Sequence, residues 1–280
     1  MRVIIFGASG MVGHGTLRAC LRDDEVTEVL AVIRRPLTLE HPKLRQIVHD
    51  DFTDYTAIED QLRNLDACFF CLGVSALGLD EQEYTRVTHD YTLAAARTLH
   101  TANPALTFVY VSGAGTDNTG RGRQMWARVK GRTENELLAM LMRAYMFRPG
   151  YIQPVNGAVS RTASYRALYR VTGSLYPLLR RALPRHVTTT DAVGHAMLAV
   201  ATPHTTAPTV LTNADINRLA APPPPAPAEH PQGPHAIRES PREREVLGLR
   251  SPQPAARPWP GVGSRRALMV AMGIRPGAGT

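Results

Sequence analysis

The sequence predicts an α/β protein with a doubly wound parallel sheet, and three observations support this prediction. Six short apolar, β-branched stretches have the pattern of strands: RVIIFG, EVLAVIR, LRQIVHD, DACFFCLG, LTFVYVSG and AYMFRPG. Segments with helical spacing lie between most of them, at 11–22, 55–64, 81–102 and 124–143. The strands are apolar almost throughout, which is typical of parallel strands covered by helices on both faces. A Rossmann-type sheet is therefore expected.

The region after the sixth strand predicts a small cap and then a tail. Helical patterns at about 162–182 and 190–202 are too short for an independent domain, so residues 1–220 are expected to form one Rossmann domain with a C-terminal cap at about 151–220. The segment TTTDAVGHAMLAV offers Thr or Asp as a helix N-cap and should pack near the cleft. Residues 221–280 contain 13 of the 22 prolines, and we expect this Pro/Arg-rich tail to be disordered.

The net charge of +8 is spread along the chain. The tail contains eight arginines and four glutamates, so it contributes +4 and leaves +4 for residues 1–220. No dense basic run or set of stacking aromatics accompanies the charge, and we predict no nucleic-acid partner. No stretch of about 18 apolar residues and no secretory leader pattern is present, which predicts a protein of the cytoplasm without a membrane span.

The three cysteines do not predict a disulfide framework or a metal centre. Cys68 and Cys71 have C-x-x-C spacing, but they lie within the apolar stretch DACFFCLG. The two-residue period of a strand places them on opposite faces. We therefore expect buried strand cysteines and no metal site.

A glycine-rich turn follows the first strand. Gly7, Gly10 and Gly13 have G-x-x-G-x-x-G spacing between this strand and the first helix. Glycines let the backbone turn sharply and approach a pyrophosphate, which the free N–H groups and dipole at the helix start would stabilise. This position in a βαβ unit predicts a dinucleotide site.

The end of the second strand favours NADP(H) over NAD(H). An acidic side chain at this place accepts from the ribose 2′-hydroxyl of NAD, whereas arginine pairs with the 2′-phosphate of NADP. The chain has Arg34 and Arg35 here and no acid. After the third strand, Asp51 and Phe52 are placed to meet the adenine end, although an ordinary strand-end turn explains them nearly as well.

The fourth and fifth strands and the following helix predict the chemical end of the cleft. Leu72, Gly73 and Ser112 lie at the carboxyl edge of the sheet, where ligands bind. The Ser112 hydroxyl could donate to a substrate carbonyl or could simply close a turn. Lys130 follows Trp126 by four residues, so both share one helix face. In a carbonyl reductase a tyrosine general acid would precede this lysine by four, and indole N–H releases no proton near neutral pH.

These motifs resemble the short-chain dehydrogenase/reductase superfamily in its extended or atypical branch, the NAD-dependent epimerase/dehydratase-like proteins. More narrowly, the chain is similar to the NAD(P)-binding proteins related to the Tat-interacting oxidoreductase-like protein. The resemblance covers about residues 1–220 and rests on GASGMVG, CLGVSA, YTRVTHDYTLAAAR, VSGAG, VKGRTENEL and FRPGYI.

The resemblance implies roles for particular residues. The turn that would cradle the pyrophosphate consists of Gly7, Ala8, Ser9, Gly10, Met11, Val12 and Gly13. Arg34 would meet the adenosine ribose or its phosphate, and Leu72 and Gly73 would line the cofactor. Lys130 would hold the nicotinamide ribose, beside a turn made of Arg148, Pro149 and Gly150. Ser112 matches the active-site serine, while Trp126 departs from the family tyrosine.

Two functions follow from this pattern. The first is an NADP(H)-dependent oxidoreductase or epimerase-like enzyme for a small carbonyl or sugar-like substrate, with Tyr84, Tyr151 or water as proton donor in place of the missing tyrosine. The second is a non-catalytic dinucleotide-binding regulator that acts through protein partners. A dimer formed through a helix face is common for this resemblance. A scaffold that binds no nucleotide is the third alternative.

Overall fold

The computed structural model describes residues 1–140, 142–158, 176, 178–203 and 205–221. The strands are β1 (Arg2–Phe6), β2 (Glu28–Ile33), β3 (Leu44–Val48), β4 (Ala67–Phe70), β5 (Thr107–Val111), β6 (Arg143–Arg148), β7 (Tyr151–Gln153), β8 (Val187–Thr189) and β9 (Val210–Thr212). The α-helices are α1 (Met11–Arg22), α2 (Glu81–Thr85), α3 (Tyr91–Ala102), α4 (Met125–Ala139), α5 (Thr190–Ala201) and α6 (Asn213–Leu219).

Seven strands form one parallel sheet in the order β3-β2-β1-β4-β5-β6-β9. This confirms the predicted doubly wound sheet and all six predicted strands. The chain leaves β1 toward one edge and returns through β4 toward the other, so the carboxyl ends of β1 and β4 flank a topological switch point. Ligands of open α/β sheets bind at such a crevice.

Helices cover both faces of the sheet, so each face has its own apolar layer. One layer includes Ile5 and Phe69 with side chains of α1 and α5, and the other includes Ile4 and Phe70 with side chains of α3 and α4. Cys71 packs against the first layer and Cys68 lies in the second, as the strand period predicted. Both thiols are free, and burial raises the pKa of Cys71 to about 12.

The predicted helices are confirmed with local differences. Residues 56–62 form a 3₁₀ helix within the segment predicted at 55–64. The segment 81–102 is helical throughout but contains a π-helical turn at Arg86–Asp90, between α2 and α3. The helix predicted to reach residue 143 ends at Ala139, because Arg143 already begins β6 and pairs with Thr107 of β5.

The C-terminal region adds to the main sheet as well as forming separate small elements. β9 pairs with β6 and extends the sheet, while β7 and β8 form a two-stranded sheet. The helix expected at 190–202 is present as α5, with the Thr189 hydroxyl accepting from Ala192 N–H at its start, and it packs closely on α1 near Gly15 and Gly194. The helix expected at 162–182 lies largely outside the described residues, as does the tail from residue 222 onward.

The described part of the chain contains neither a membrane-spanning helix nor a cluster of metal-binding side chains. None of its helices combines the length and apolar character that a membrane crossing requires. In the same residues, no three His, Cys, Asp or Glu side chains come together in a way that could hold a metal ion.

Candidate functional site

The glycine turn between β1 and α1 is closed so tightly that side chains are excluded. Gly7 has φ of +80°, and a Cβ there would lie 2.7 Å from the backbone nitrogen of Leu72 at the end of β4. A Cβ on Gly13 would collide with the carbonyl oxygen of Gly7. The turn also holds a hydrogen bond from Gly10 N–H to Gly7 O of 2.8 Å. No side chain caps the start of α1, so its first N–H groups can bind an anion.

A cleft of about 490 Å³ opens beside this turn, where β1, β2 and β4 end. Its lining residues are Gly7, Ser9, Val32, Ile33, Arg34, Arg35, Phe52 and Leu72. The structure thus brings together the predicted phosphate turn, both arginines, Phe52 and Leu72. Arg34 and Arg35 are exposed, so their guanidinium groups can reach an anionic ligand at the mouth.

The loop after β3 supplies one wall of the cleft through Phe52. His49 fixes this loop, since its Nε2 atom lies 2.6 Å from Asp51 O and 2.8 Å from Asp54 O. Phe52 is buried and meets Phe6 edge-on, with ring centroids 6.4 Å apart. The exposed Asp51 carboxylate instead accepts from Thr53 N–H at 2.9 Å, and hydrogen bonds from Thr53 lower its pKa. Asp51 does not line the cleft.

Ser112, which follows β5, turns its hydroxyl into the protein. Only 5% of the residue is exposed, and the hydroxyl is 2.5 Å from Glu134 Oε1 and 3.1 Å from Phe147 O. A serine hydroxyl has one proton to donate. With that proton directed to Glu134 or Phe147, none remains in this arrangement for a substrate carbonyl.

Glu134 on α4 is the centre of a buried polar cluster. Its side chain is fully buried, and it forms an ion pair with Arg148 at the end of β6. Arg148 Nε donates to Glu134 Oε1 at 3.0 Å, and Asn118 Nδ2 donates to Oε2 at 3.0 Å. These bonds supply the partners that a buried carboxylate requires. We refer to Ser112, Asn118, Glu134 and Arg148 as the Glu134 cluster.

Other residues predicted beside the nicotinamide form hydrogen bonds through their backbone atoms that connect segments of the chain at this edge of the sheet. Pro149 O accepts from Ala114 N–H at 2.8 Å, which joins the end of β6 to the loop after β5. Gly150 N–H donates to Asn213 Oδ1 at 2.9 Å, at the start of α6. Gly73 has open space around its α-carbon. Pro149 is thus joined to the loop after Ser112 and Gly150 to the start of α6, while the Arg148 side chain pairs with Glu134.

Lys130 lies one helical turn before Glu134 on α4. Its amine donates a hydrogen bond to the carbonyl oxygen of Ser112, so it sits at the carboxyl end of β5. Burial lowers the pKa of the Lys130 amine to about 8, although the nearby Glu134 carboxylate partly opposes this shift. The amine can therefore change its protonation state close to neutral pH.

Trp126 occupies the position of the expected tyrosine and packs on the loop that follows Ser112. The edge of its half-buried indole lies 3.5 Å from where a Cβ on Gly115 would be. The two tyrosines considered as substitutes are differently placed. Tyr84 on α2 is buried, with 2% of its surface exposed. The Tyr151 hydroxyl donates to Gln153 Oε1 at 2.8 Å.

Sequence reasoning missed Glu134 and Asn118 as members of the site. Glu134 follows Lys130 by four residues, so the two side chains share a helix face, and this spacing could have indicated it. Asn118 lies in an irregular loop and only tertiary contacts reveal its role, since its partner Arg148 is 30 residues away in the chain.

The sheet order, the glycine turn and the cleft at the switch point define a Rossmann-type α/β protein with a candidate dinucleotide site. More particularly, residues 3–123 match the model of the NAD dependent epimerase/dehydratase family. The resemblance inferred from the sequence motifs is therefore confirmed.

Relatives support the same assignment. Protein HTATIP2 of Rattus norvegicus is 28% identical over 154 residues, which are 54% of this chain and 62% of that protein. Protein FMP52, mitochondrial, of Saccharomyces cerevisiae is 28% identical over 155 residues, 54% of this chain and 65% of its own length. The matched region thus spans less than two thirds of either relative.

Solved structures with the same fold include nucleotide complexes. MoeE5 in complex with UDP-glucose and NAD is 19% identical, with 75% of each chain covered and a TM-score of 0.55. The Bordetella bronchiseptica enzyme WbmF in complex with NAD⁺ is 16% identical, with 78% of this chain and 76% of that chain covered and a TM-score of 0.55. At these identities the likeness concerns the fold.

Proposed function

We propose that this chain binds NADP(H) in preference to NAD(H) and acts as a non-standard oxidoreductase that lacks the usual catalytic tyrosine. The observation that supports cofactor binding is the cleft in which Gly7, Arg34 and Arg35 meet. The tight turn requires glycine at Gly7 and Gly13, where a Cβ would collide with backbone, and no side chain caps the start of α1, so its first N–H groups can bind a pyrophosphate. The NAD complexes of MoeE5 and WbmF support a dinucleotide in the corresponding fold.

The preference for NADP(H) rests on charge at the end of β2. The cleft wall formed by Val32 and Ile33 continues into Arg34 and Arg35, and among the described residues no carboxylate lines this cleft. A guanidinium forms charge-assisted, bidentate hydrogen bonds with a phosphate, whereas a ribose 2′-hydroxyl gains little from it. The additional phosphate of NADP(H) is therefore expected to increase affinity.

Calorimetry with NADPH and NADH tests this proposal. Replacing both Arg34 and Arg35 with Ser should weaken NADPH binding about 10- to 100-fold, because one or two charged hydrogen bonds are lost, and should leave NADH affinity nearly unchanged. Arg45→Ser is the matched control, since Arg45 lies on β3 and bonds Gln61 at 3.0 Å, away from the cleft. Equal affinity for both nucleotides before and after the change would remove the NADP assignment.

A second function, a non-catalytic dinucleotide-binding regulator with a protein partner, is favoured by two particular observations. Trp126 holds the place of the general acid, and the Ser112 hydroxyl donates within the Glu134 cluster. General acid–base catalysis typically contributes about 10²- to 10⁴-fold to a rate, so an enzyme without it would be slow.

Trp126→Tyr separates the two functions. A phenol at this position can donate a proton that indole retains, and we expect NADPH-dependent reduction of a panel of small aldehydes and ketones to rise at least tenfold. Trp126→Phe, which is aromatic but has no proton to give, serves as the control. No gain from Tyr over Phe, in a protein that binds NADPH but whose wild-type form reduces none of these carbonyls, would favour the regulator.

A further inference from the structure

The proposed reaction needs a proton donor, and neither position 126 nor Ser112 provides one. Reduction of a carbonyl adds a hydride to carbon and needs a proton on oxygen. Trp126 cannot supply that proton, and the Ser112 hydroxyl is 2.5 Å from the Glu134 carboxylate that takes its hydrogen bond. The proton must therefore come from water or from another group at the carboxyl edge of the sheet.

Lys130 is placed to act as this proton donor. It extends from the same face of α4 as Trp126, one turn further on, and its amine reaches the carbonyl oxygen of Ser112 at the end of β5. An ammonium has three N–H donors, so one can stay on Ser112 O while another points to a ligand. Lys130 and Lys43 are the two lysines of the chain, and Lys43 lies elsewhere, with its amine 2.8 Å from Asp23 O.

We propose that Lys130 donates the proton to the substrate oxygen in place of the missing tyrosine. This inference rests on the proposed NADP(H)-dependent reductase activity. NADPH transfers a hydride to the carbonyl carbon of the aldehyde and becomes NADP⁺. The carbonyl oxygen accepts a proton from the Lys130 ammonium. An alcohol and a neutral amine result, and a water-derived proton then restores the ammonium.

The surroundings of Lys130 tune the amine for this step. Burial favours the neutral amine, and the Glu134 carboxylate on the same helix favours the ammonium. Arg148 on β6 balances Glu134 with a positive charge. Burial raises the pKa of the Tyr110 hydroxyl on β5, and the Glu134 carboxylate adds to this shift, so this phenol stays neutral. The opposing influences hold the pKa of Lys130 at about 8, where proton release near neutral pH is efficient.

The first test measures the protonation of Lys130 directly. In a Lys43→Arg background, Lys130 is the only lysine, so protein labelled with ¹³C-lysine gives a single ε-carbon resonance. We expect this resonance to titrate with a midpoint near pH 8, as the pKa of about 8 indicates. A midpoint at or above pH 10 would overturn the proposal, because such an amine would be a poor acid at neutral pH.

The second test separates proton donation from cofactor binding. Lys130→Arg keeps a cation, but a guanidinium releases no proton in a protein. Single-turnover reduction of 4-nitrobenzaldehyde at saturating NADPH should fall about 10²- to 10⁴-fold, while the NADPH Kd changes less than tenfold. The wild-type rate should decrease above about pH 8, as the ammonium is lost, and the residual rate of Lys130→Arg should not follow this profile.

The outcomes distinguish this inference from the proposed function. Reduction by Lys130→Arg at more than a tenth of the wild-type rate would assign the proton to water or a tyrosine and overturn the inference. A wild-type protein that binds NADPH but does not reduce the aldehyde would count against the oxidoreductase part of the proposed function, and the inference would fall with it. Failure of the wild-type protein to bind NADPH at all would instead refute the proposed function, on which the inference depends.

Discussion

At the scale of single residues, the lowered pKa of Lys130 affects both the proposed proton transfer and the pH dependence of stability. Burial lowers the pKa of its amine to about 8, whereas an unfolded chain would hold this lysine near its ordinary pKa of about 10.4. Between these two pKa values the unfolded state binds more protons than the folded state. The free energy of unfolding therefore rises with pH in this window, and the cost of burying the charge is complete below about pH 8.

Lys130→Met makes this linkage measurable, since methionine has a similar length and no charge. From pH 8 to pH 10, the wild-type protein should gain about 1–2 kcal/mol of stability relative to the variant. This value is smaller than the whole pKa difference between the folded and unfolded chain would give, because the side chain is partly exposed and solvent screens its charge. Urea unfolding at several pH values gives the difference, in which other titrating groups cancel. Parallel stability curves for the two proteins would show that the lysine is not desolvated.

At the scale of secondary-structure elements, the Glu134 cluster holds three of them together. Glu134 belongs to α4, Ser112 follows β5 and Arg148 ends β6, while Asn118 brings in the loop between β5 and α4. Lys130 lies one turn from Glu134 and bonds the backbone of Ser112. The cluster therefore fixes the surface from which Lys130 extends.

Removal of the central carboxylate should destabilise the protein. Glu134→Ala leaves the mostly buried Arg148 side chain without its ion-pair partner, and such a change costs about 3 kcal/mol. Denaturant unfolding gives this value. Glu136→Ala is the matched control on the same helix, because its carboxylate is 42% exposed and pairs with His89 at the surface, where loss costs less than about 1 kcal/mol. Similar values for both variants would contradict a structural role for the cluster.

At the scale of the whole molecule, one compact unit ends where the Pro-rich tail begins. The last described helix, α6, begins with a capping box of Thr212 and Asp215 and ends at Leu219, and the compact unit extends from Met1 to Pro222. Its strand β9 already closes the edge of the sheet beside β6. The elements that form the cleft all precede residue 73.

A chain shortened to residues 1–222 tests this independence. We expect its thermal midpoint and its NADPH affinity to equal those of the full chain, because the tail sequence is too rich in proline and too poor in apolar residues to form a core. Differential scanning calorimetry and nucleotide titration of both chains provide the comparison. A lower midpoint or weaker NADPH binding after truncation would show that the tail packs on the described unit.

The sequence alone was sufficient for the features that depend on local pattern. The six strands, the alternation with helices and the glycine turn at Gly7 could be predicted because strand and helix periods and a close backbone turn each impose residue types on neighbouring positions. The same locality identified Arg34 and Arg35 at the end of β2, and the structure places both in one cleft with Gly7.

Tertiary structure decided what depends on residues far apart in the chain. β9 is three residues long, and only its pairing with β6, more than 60 residues earlier, makes it a strand. The direction of the Ser112 hydroxyl was likewise unreadable, since position at a strand end is equally consistent with a substrate contact and an internal one. Glu134, 22 residues later, accepts its hydrogen bond because a buried carboxylate must be satisfied by whatever donors the fold brings to it.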